Sequence, residues 1–446
     1  MRRLALFVAA AAILVAPAYG AKKTNEKGEI IKTGWNFGPL PVVGFDSDLG
    51  FQYGVCCDIF NFGDGSSYPS YNFKINVEAS TYTKGSSVLR SYGDFKTLIP
   101  DGKLFYDVAY FNAPKFGFYG FNGFAAPFDA NYIQASPDIQ SFLPITFPEG
   151  TKSGYNFMSR NQFRAVVSMQ KKIAGSLSWA AGVAFYHTST KALDTEKFNA
   201  YEHQATLYEV YRTLGLIRQN EAEGGNVLQF RVGLVYDSRD HDSDPTRGFN
   251  IEASINGAPD IDGEGYGNMG FTFVGSQYVP VVSDKLTFTY RLGVQGKICG
   301  EIPYYFANNL NTMFFRRMYT EGLGGNASVR GLNRNGVIGN GMAWLNVELR
   351  WRFFNFKLIN QNWGLALNPF FDAGQVIQPY RLDEQKSVPA GWNVYSGNKE
   401  TPHCTAGIGL KLVMNHNMIL SFEAAKALSA NDGNGLWTNV GFNYMF

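Results

Sequence analysis

From about residue 40 to residue 446, the chain repeats segments of roughly ten residues in which apolar and polar side chains alternate, the period of a strand with two unlike faces. In KLTFTYRLGVQGKI, Leu286, Phe288, Tyr290, Leu292 and Val294 fall on one face, opposite Lys285, Thr287, Thr289, Arg291 and Gln295. NVLQFRVGLVYD sets Leu228, Phe230, Val232, Leu234 and Tyr236 against Gln229, Arg231, Gly233 and Asp237. FKINVEAS, AWLNVELRWRF and LWTNVGFNYMF repeat the pattern. This reading places strands near 40–46, 48–60, 70–83, 86–98, 102–112, 155–172, 176–188, 226–237, 248–257, 266–279, 284–298, 341–353, 364–375, 403–413, 417–427 and 436–446, sixteen in all.

Alternation also suits a soluble sandwich, and the connections decide between the two. Turns such as PDG (100–102), AGS (174–176), PVVSD (280–284) and the stretch around Asn415 are short, whereas 113–154, 189–225, 299–340 and 376–402 are long and fall at the other end of the strands. An even-stranded barrel with short periplasmic turns and long external loops predicts this asymmetry, and closure removes edges that would be costly in lipid. The expected fold class is therefore all-β: a 16-stranded antiparallel transmembrane β-barrel in the bacterial outer membrane, in contact with its lipid.

The first residues, MRRLALFVAAAAILVAPAYGAKK, combine a basic start at Arg2 and Arg3, an apolar run and small residues Ala18 and Gly20, which reads as a secretory signal peptide over 1–20. No later apolar run approaches the roughly 18 residues of a spanning helix. The expected organisation is thus 1–20 signal peptide, 21–39 short periplasmic N-terminal segment and 40–446 barrel. A net charge of +2 points to no nucleic-acid partner. Of the four cysteines, Cys56 and Cys57 are adjacent on one strand and face opposite sides, so they do not pair with each other, and Cys299 and Cys404 are a candidate cross-link between two loops whose geometry the sequence does not supply.

GGNASVRGLNRNG, from Gly324 to Gly336, places an arginine among glycines and asparagines late in a long external loop. By composition alone it is a solvated loop. Register changes that reading, because it points Glu348, in GMAWLNVELRWRF, and Asp372, in WGLALNPFFDAG, into the lumen on adjacent strands. Two carboxylates in a partly desolvated lumen require a cation, and an arginine fork from an inward-folded loop satisfies both.

SVRGL at 328–332, the glutamate of NVELR at 348, FFDAG at 370–374 and the turn DSRDHDSDPTRG at 237–248 resemble, in order and spacing, motifs of the BamA-like superfamily of outer-membrane insertases and two-partner secretion translocators. The resemblance implies a sixteen-stranded barrel whose sixth external loop, between strands 11 and 12, folds inward. It implies that Arg330, followed by Gly331, contacts Glu348 and Asp372 of strands twelve and thirteen. Leu332 departs from the usual aromatic after the glycine, and with only a short segment expected between signal peptide and barrel, the chain resembles a branch without the periplasmic POTRA domains that receive clients.

The turn is read as a periplasmic one stabilised by Asp237, Arg239, Asp240, Pro245 and Gly248. Asp240, Asp242 and Asp244 alternate as in a calcium loop, but Pro245 and Ile251 occupy the places of the EF-hand glycine and glutamate, so no metal is expected. His187, His203, His241, His403 and His416 are scattered, with one near serine only in YHTST at 186–190, so neither an enzyme nor a cofactor is expected. Two functions remain. One is assistance in the insertion or translocation of protein or lipid, with unfolded outer-membrane or secreted proteins as clients and accessory subunits as partners. It is favoured by a short first strand, near Pro41 to Phe45, whose prolines weaken its closing pair. The other is a passive channel or structural barrel plugged by its inward loop.

Overall fold

A computed structural model describes residues 23–24, 30–68, 70–125, 154–199, 206–283, 285–313, 322–358, 361–382, 399–414, 418–433, 435–442 and 446. The expected signal peptide and the turn at Asn415 lie outside the described residues. Sixteen antiparallel strands form one closed barrel: β1 (Trp35–Asp46), β2 (Gly50–Asn61), β3 (Phe73–Tyr82), β4 (Ser87–Phe95), β5 (Gly102–Gly117), β6 (Phe157–Ala174), β7 (Leu177–Ala192), β8 (Gly224–Asp237), β9 (Gly248–Ala258), β10 (Asn268–Val282), β11 (Leu286–Gly300), β12 (Gly341–Leu358), β13 (Gln361–Gln378), β14 (His403–Met414), β15 (Met418–Ala427) and β16 (Trp437–Phe442). Each pairs with its neighbour in sequence, and β16 closes onto β1.

The alternation has the expected physical outcome. Phe230, Val232 and Leu234 are exposed on the lipid side of β8, whereas Gln229 and Arg231 are buried inside. Trp351, Phe354 and Trp363 stand exposed or half-exposed near the periplasmic rim, with Phe356 stacked on Trp363, as aromatic girdles do at a membrane boundary.

Several strands outrun their expected bounds. On β7, His187, Ser189 and Lys191 face outward in the ladder beyond the apolar band. There both faces are polar, so apolar alternation stops while backbone pairing continues. β1 differs more: it begins at Trp35 and pairs with β2 along its whole length, through Pro39 and Pro41.

The external loops also hold structure that alternation does not reveal. Helices α1 (Thr195–Asn199), α2 (Leu207–Thr213) and α3 (Tyr304–Ala307) lie in them, α2 started by a capping box of Thr206 and Glu209. Phe118, Phe121, Tyr208, Tyr211 and Tyr304 pack edge to face, and Phe121 stacks on Tyr380 at 4.4 Å. These buried rings form a hydrophobic cap over the external mouth.

The expected Cys299–Cys404 bridge is corrected: all four cysteines are free. Cys299 is on β11 and Cys404 on β14, three strands away, or roughly 14 Å at the usual strand spacing, beyond the reach of a disulfide.

Candidate functional site

The loop between β11 and β12 folds back into the barrel as a small hairpin, with Leu323 and Val337 exchanging backbone hydrogen bonds at 3.2 Å. Leu323, Val329, Leu332 and Val337 are buried against Met342 and Trp344 of β12 and Val376 of β13, so apolar packing brings the loop down onto the wall. Leu332 belongs to this packing and is 3% exposed, which accounts for an aliphatic residue after Gly331. Ser328 Oγ accepts from the Gly324 N–H at 3.0 Å and donates to the Gly322 carbonyl at 2.7 Å. Asn346 Nδ2 donates to the Ser328 carbonyl and Arg291 Nη2 to that of Ala327.

Arg330 leaves the hairpin toward the wall and is fully buried. Its Nε and Nη2 donate to the two oxygens of Asp372 at 2.8 and 2.9 Å, a bidentate fork, and its backbone N–H donates to the same carboxylate at 3.0 Å. Nη1 donates to Glu348 Oε1 at 2.6 Å and to Glu423 Oε1 of β15 at 3.0 Å. The guanidinium carbon lies 3.5 Å from the ring centroid of Phe370, so a π face covers the plane of the fork. Gly331 permits the turn: its φ is +100°, and a Cβ there would lie 3.1 Å from the side chains of Ala425 and Thr405.

The structure thus brings Arg330, Gly331, Glu348 and Asp372 together, and it adds members that sequence reasoning missed. Lys411 of β14 donates to Glu423 at 2.6 Å and to the Ser421 hydroxyl, and Arg350 Nε donates to Glu348 Oε2 at 2.9 Å. Arg330, Arg350 and Lys411 balance Glu348, Asp372 and Glu423 in this buried network. Charges enclosed this deeply are tolerable only when paired and hydrogen-bonded. The available signal was the alternation of β14 and β15, which turns Lys411 and Glu423 inward. A second buried triad, Arg90–Asp107–Arg164, ties β4, β5 and β6 on another arc of the wall.

The periplasmic turn is a separate site, between β8 and β9. Arg239 holds Asp237 through Nε and Nη2 at 2.8 and 2.6 Å, Asp240 accepts from the Thr246 N–H at 2.9 Å, and Gly248 has φ +101°. Pro245 is buried, and Asp244 pairs with Arg352 at the foot of β12. Asp242 pairs with Lys96. These carboxylates are engaged by protein donors, and the turn links the floor of the barrel to neighbouring strands.

The wall and the loop meet at the seam where the barrel closes. β16 pairs with β1 through Asn439–Asp46 and Val440–Phe45, beside a hydrogen bond from the Ser47 N–H to the Thr438 carbonyl at 3.0 Å. Gly441 and Phe442 stay paired with Ser421 and Leu420 of β15, and among the described residues neither has a registered partner on β1. By contrast, β12 and β13 pair from Gly341–Gln378 to Leu358–Gln361, with register shifts at Gly341/Met342 and Arg352/Phe354 and a gap between Glu348–Phe370 and Trp351–Leu367.

Comparison with known proteins bears on this geometry. The Omp85 superfamily domain matches residues 71–444. The fold is similar to that of BamA from Haemophilus ducreyi lacking POTRA domains 1–3, at 14% identity and TM-score 0.52, covering 99% of this chain and 77% of that one. It is also similar to CdiB from Escherichia coli, at 12% identity and TM-score 0.53, covering 97% and 69%. No curated protein sequence matches.

Proposed function

This chain belongs to the Omp85 superfamily, as a BamA-like barrel of the bacterial outer membrane, and from that premise we propose that it assists insertion or translocation of protein or lipid through its β16–β1 seam. The observation that supports this reading is the contrast between a seam with two registered pairs among the described residues and a wall with fifteen, interrupted at two register shifts and beside Pro369. A barrel that only needs to stand closed gains from a full ladder at every junction. A poorly paired junction leaves backbone groups of β1 and β16 available to an incoming strand, or to a lipid-sized gap, at low cost.

On this reading the latch at Arg330 keeps the loop inside and the β12–β15 wall rigid while the seam yields. Clients are unfolded outer-membrane or secreted proteins, and accessory subunits assist. The work is mechanical and makes or breaks no covalent bond. The sequence character of residues 1–20 fits export by a cleaved signal peptide.

Depletion of the protein, with outer-membrane protein and lipid composition followed over time, tests the proposal. Purified barrel in liposomes should accelerate integration of an unfolded barrel client. The complete enclosure of Arg330 by three acids favours the second reading, a passive barrel plugged by its loop. An unchanged envelope together with ion conductance as the sole liposome activity would establish that reading and overturn the first.

A further inference from the structure

The loop that places Arg330 against the wall also reaches both sides of the seam. Asn326 Nδ2 donates to Asn439 Oδ1 of β16 at 3.4 Å. Four residues after the latch arginine, Arg334 Nη2 donates to Asp46 Oδ2, at the last residue of β1, at 2.5 Å. The backbone N–H of Arg334 donates to Asp48 Oδ2, in the β1–β2 turn, at 2.5 Å. Arg334 and Asp46 are buried, so this pair is shielded from solvent.

All these contacts lie at the external end, beside the two registered pairs of the seam. Toward the periplasm the backbone itself weakens the junction. The β1–β2 register is unbroken from Trp35 to Asp46, so N–H direction alternates strictly along β1. Ser47 sends its N–H to β16, whereas Gly34 sends its own to Gly63, next to β2. Odd-numbered residues therefore face the seam, and two of them are Pro39 and Pro41, which have no N–H to give. Among the described residues, none from Trp35 to Gly44 pairs with β16. The prolines leave the seam side of β1 without two N–H donors while the β2 ladder stays intact.

We propose that Arg334 is a clamp that holds the external end of the seam shut, so that β1 and β16 part from the periplasmic end and separate fully only when Arg334 releases Asp46 and Asp48. The latch and the clamp then divide the labour of one loop: Arg330 fixes the loop to the wall, and Arg334 fixes β1 to the loop. The inference goes beyond the function proposed above, because it concerns the polarity of the seam and holds even if the barrel handles no client.

Hydrogen–deuterium exchange on the full chain in nanodiscs tests it without a client. In the unmodified protein, the amides of Phe45 and Ser47 should be protected. Arg334→Met should raise their exchange at least tenfold and leave Val347 and Phe371 of the wall unchanged. The charge-exchanged pair Asp46→Arg with Arg334→Asp should restore protection. Should Arg334→Met fail to assemble, Asp48→Ala removes one acceptor and should give a smaller rise at the same two amides. Unchanged exchange at Phe45 and Ser47, or a rise equal in the wall and the seam, overturns the clamp. Failure of the depletion experiment would leave this result untouched, so the two proposals fail separately.

Discussion

The β12–β13 wall and the β16–β1 seam are built from the same backbone yet are held together by opposite means. The wall is laddered over most of its length, with interruptions beside Pro369 and at two register shifts, and it supplies Glu348 and Asp372, two of the carboxylates around Arg330. Among the described residues the seam has two registered pairs, and side chains from a loop add to them, Asn326 on one flank and Arg334 on the other. The difference teaches where a barrel can place buried charge. A long ladder, paired from Met342 to Glu348, fixes the spacing of two carboxylates firmly enough to match an arginine fork. A short ladder cannot do that, and a side-chain pair takes over part of the closure.

Breaking the wall side of this contrast should have the largest effect. Arg330→Met leaves Glu348, Asp372 and Glu423 buried around an apolar side chain, and such a loss costs about 3–5 kcal/mol. Reduced assembly, loss of heat-resistant mobility and protease cleavage within 322–340 are the expected readouts, and normal mobility would show that the network is not desolvated as described.

Gly331→Ala probes the same latch through the backbone. At φ +100° with neighbours at 3.1 Å, the added methyl should cost about 1–3 kcal/mol, read as a shifted urea midpoint in detergent. An unshifted midpoint would mean that the loop turns inward without that strain.

The seam side can be strengthened. Replacing Pro39 and Pro41 by valine restores two N–H donors on the seam side of β1, each worth about 1 kcal/mol once bonded. Cross-linking of cysteines placed at Val43 and Phe442 should then increase, and client integration should fall if the seam is the working part. A gain of cross-linking without loss of integration would separate seam closure from function.

The smallest effect should be a pH dependence at Asp48. Burial first, and then Asp46 beside it, push this carboxyl up to about 6, against the opposing pull of Arg334 and Lys84. A raised carboxyl binds its proton more tightly in the folded state. Its contribution is therefore complete below about pH 4, near the unfolded value, and is lost as pH rises through about 6. The thermal midpoint should rise between pH 7 and pH 5 in the unmodified protein and rise less in Asp48→Asn. Equal rises would assign the effect to another group.

Much of the fold was legible because lipid is a stringent solvent. Phe230, Val232 and Leu234 had to alternate with buried polar neighbours, and that period located β8 and its fellows. The same signal pointed Glu348 and Asp372 inward, and the adjacent loop supplied Arg330. Legibility ended where the bilayer ends. Strand extensions such as Ser189–Ala192 on β7 have no apolar face toward lipid, and the rings of Phe118, Phe121 and Tyr380 meet across loops far apart in sequence. Glu423 and Lys411 were missed because they are two strands and one strand from Asp372, and only closure of the barrel directs them at the same point. The expected disulfide failed for the reverse reason, since both cysteines are fixed to strands that the barrel keeps apart.

By itself, the sequence determined the barrel, its two classes of connection and the wall half of the latch. Those follow from alternation and register, which act between residues close in the chain or on adjacent strands. Tertiary structure alone decided that Arg330 has a third acid, that Arg334 joins the ladder at the external end of the seam, and that both proline nitrogens turn to the seam side of β1. Each of these depends on which strands become neighbours when the barrel closes and on how deep one loop descends, and neither has a local period to betray it.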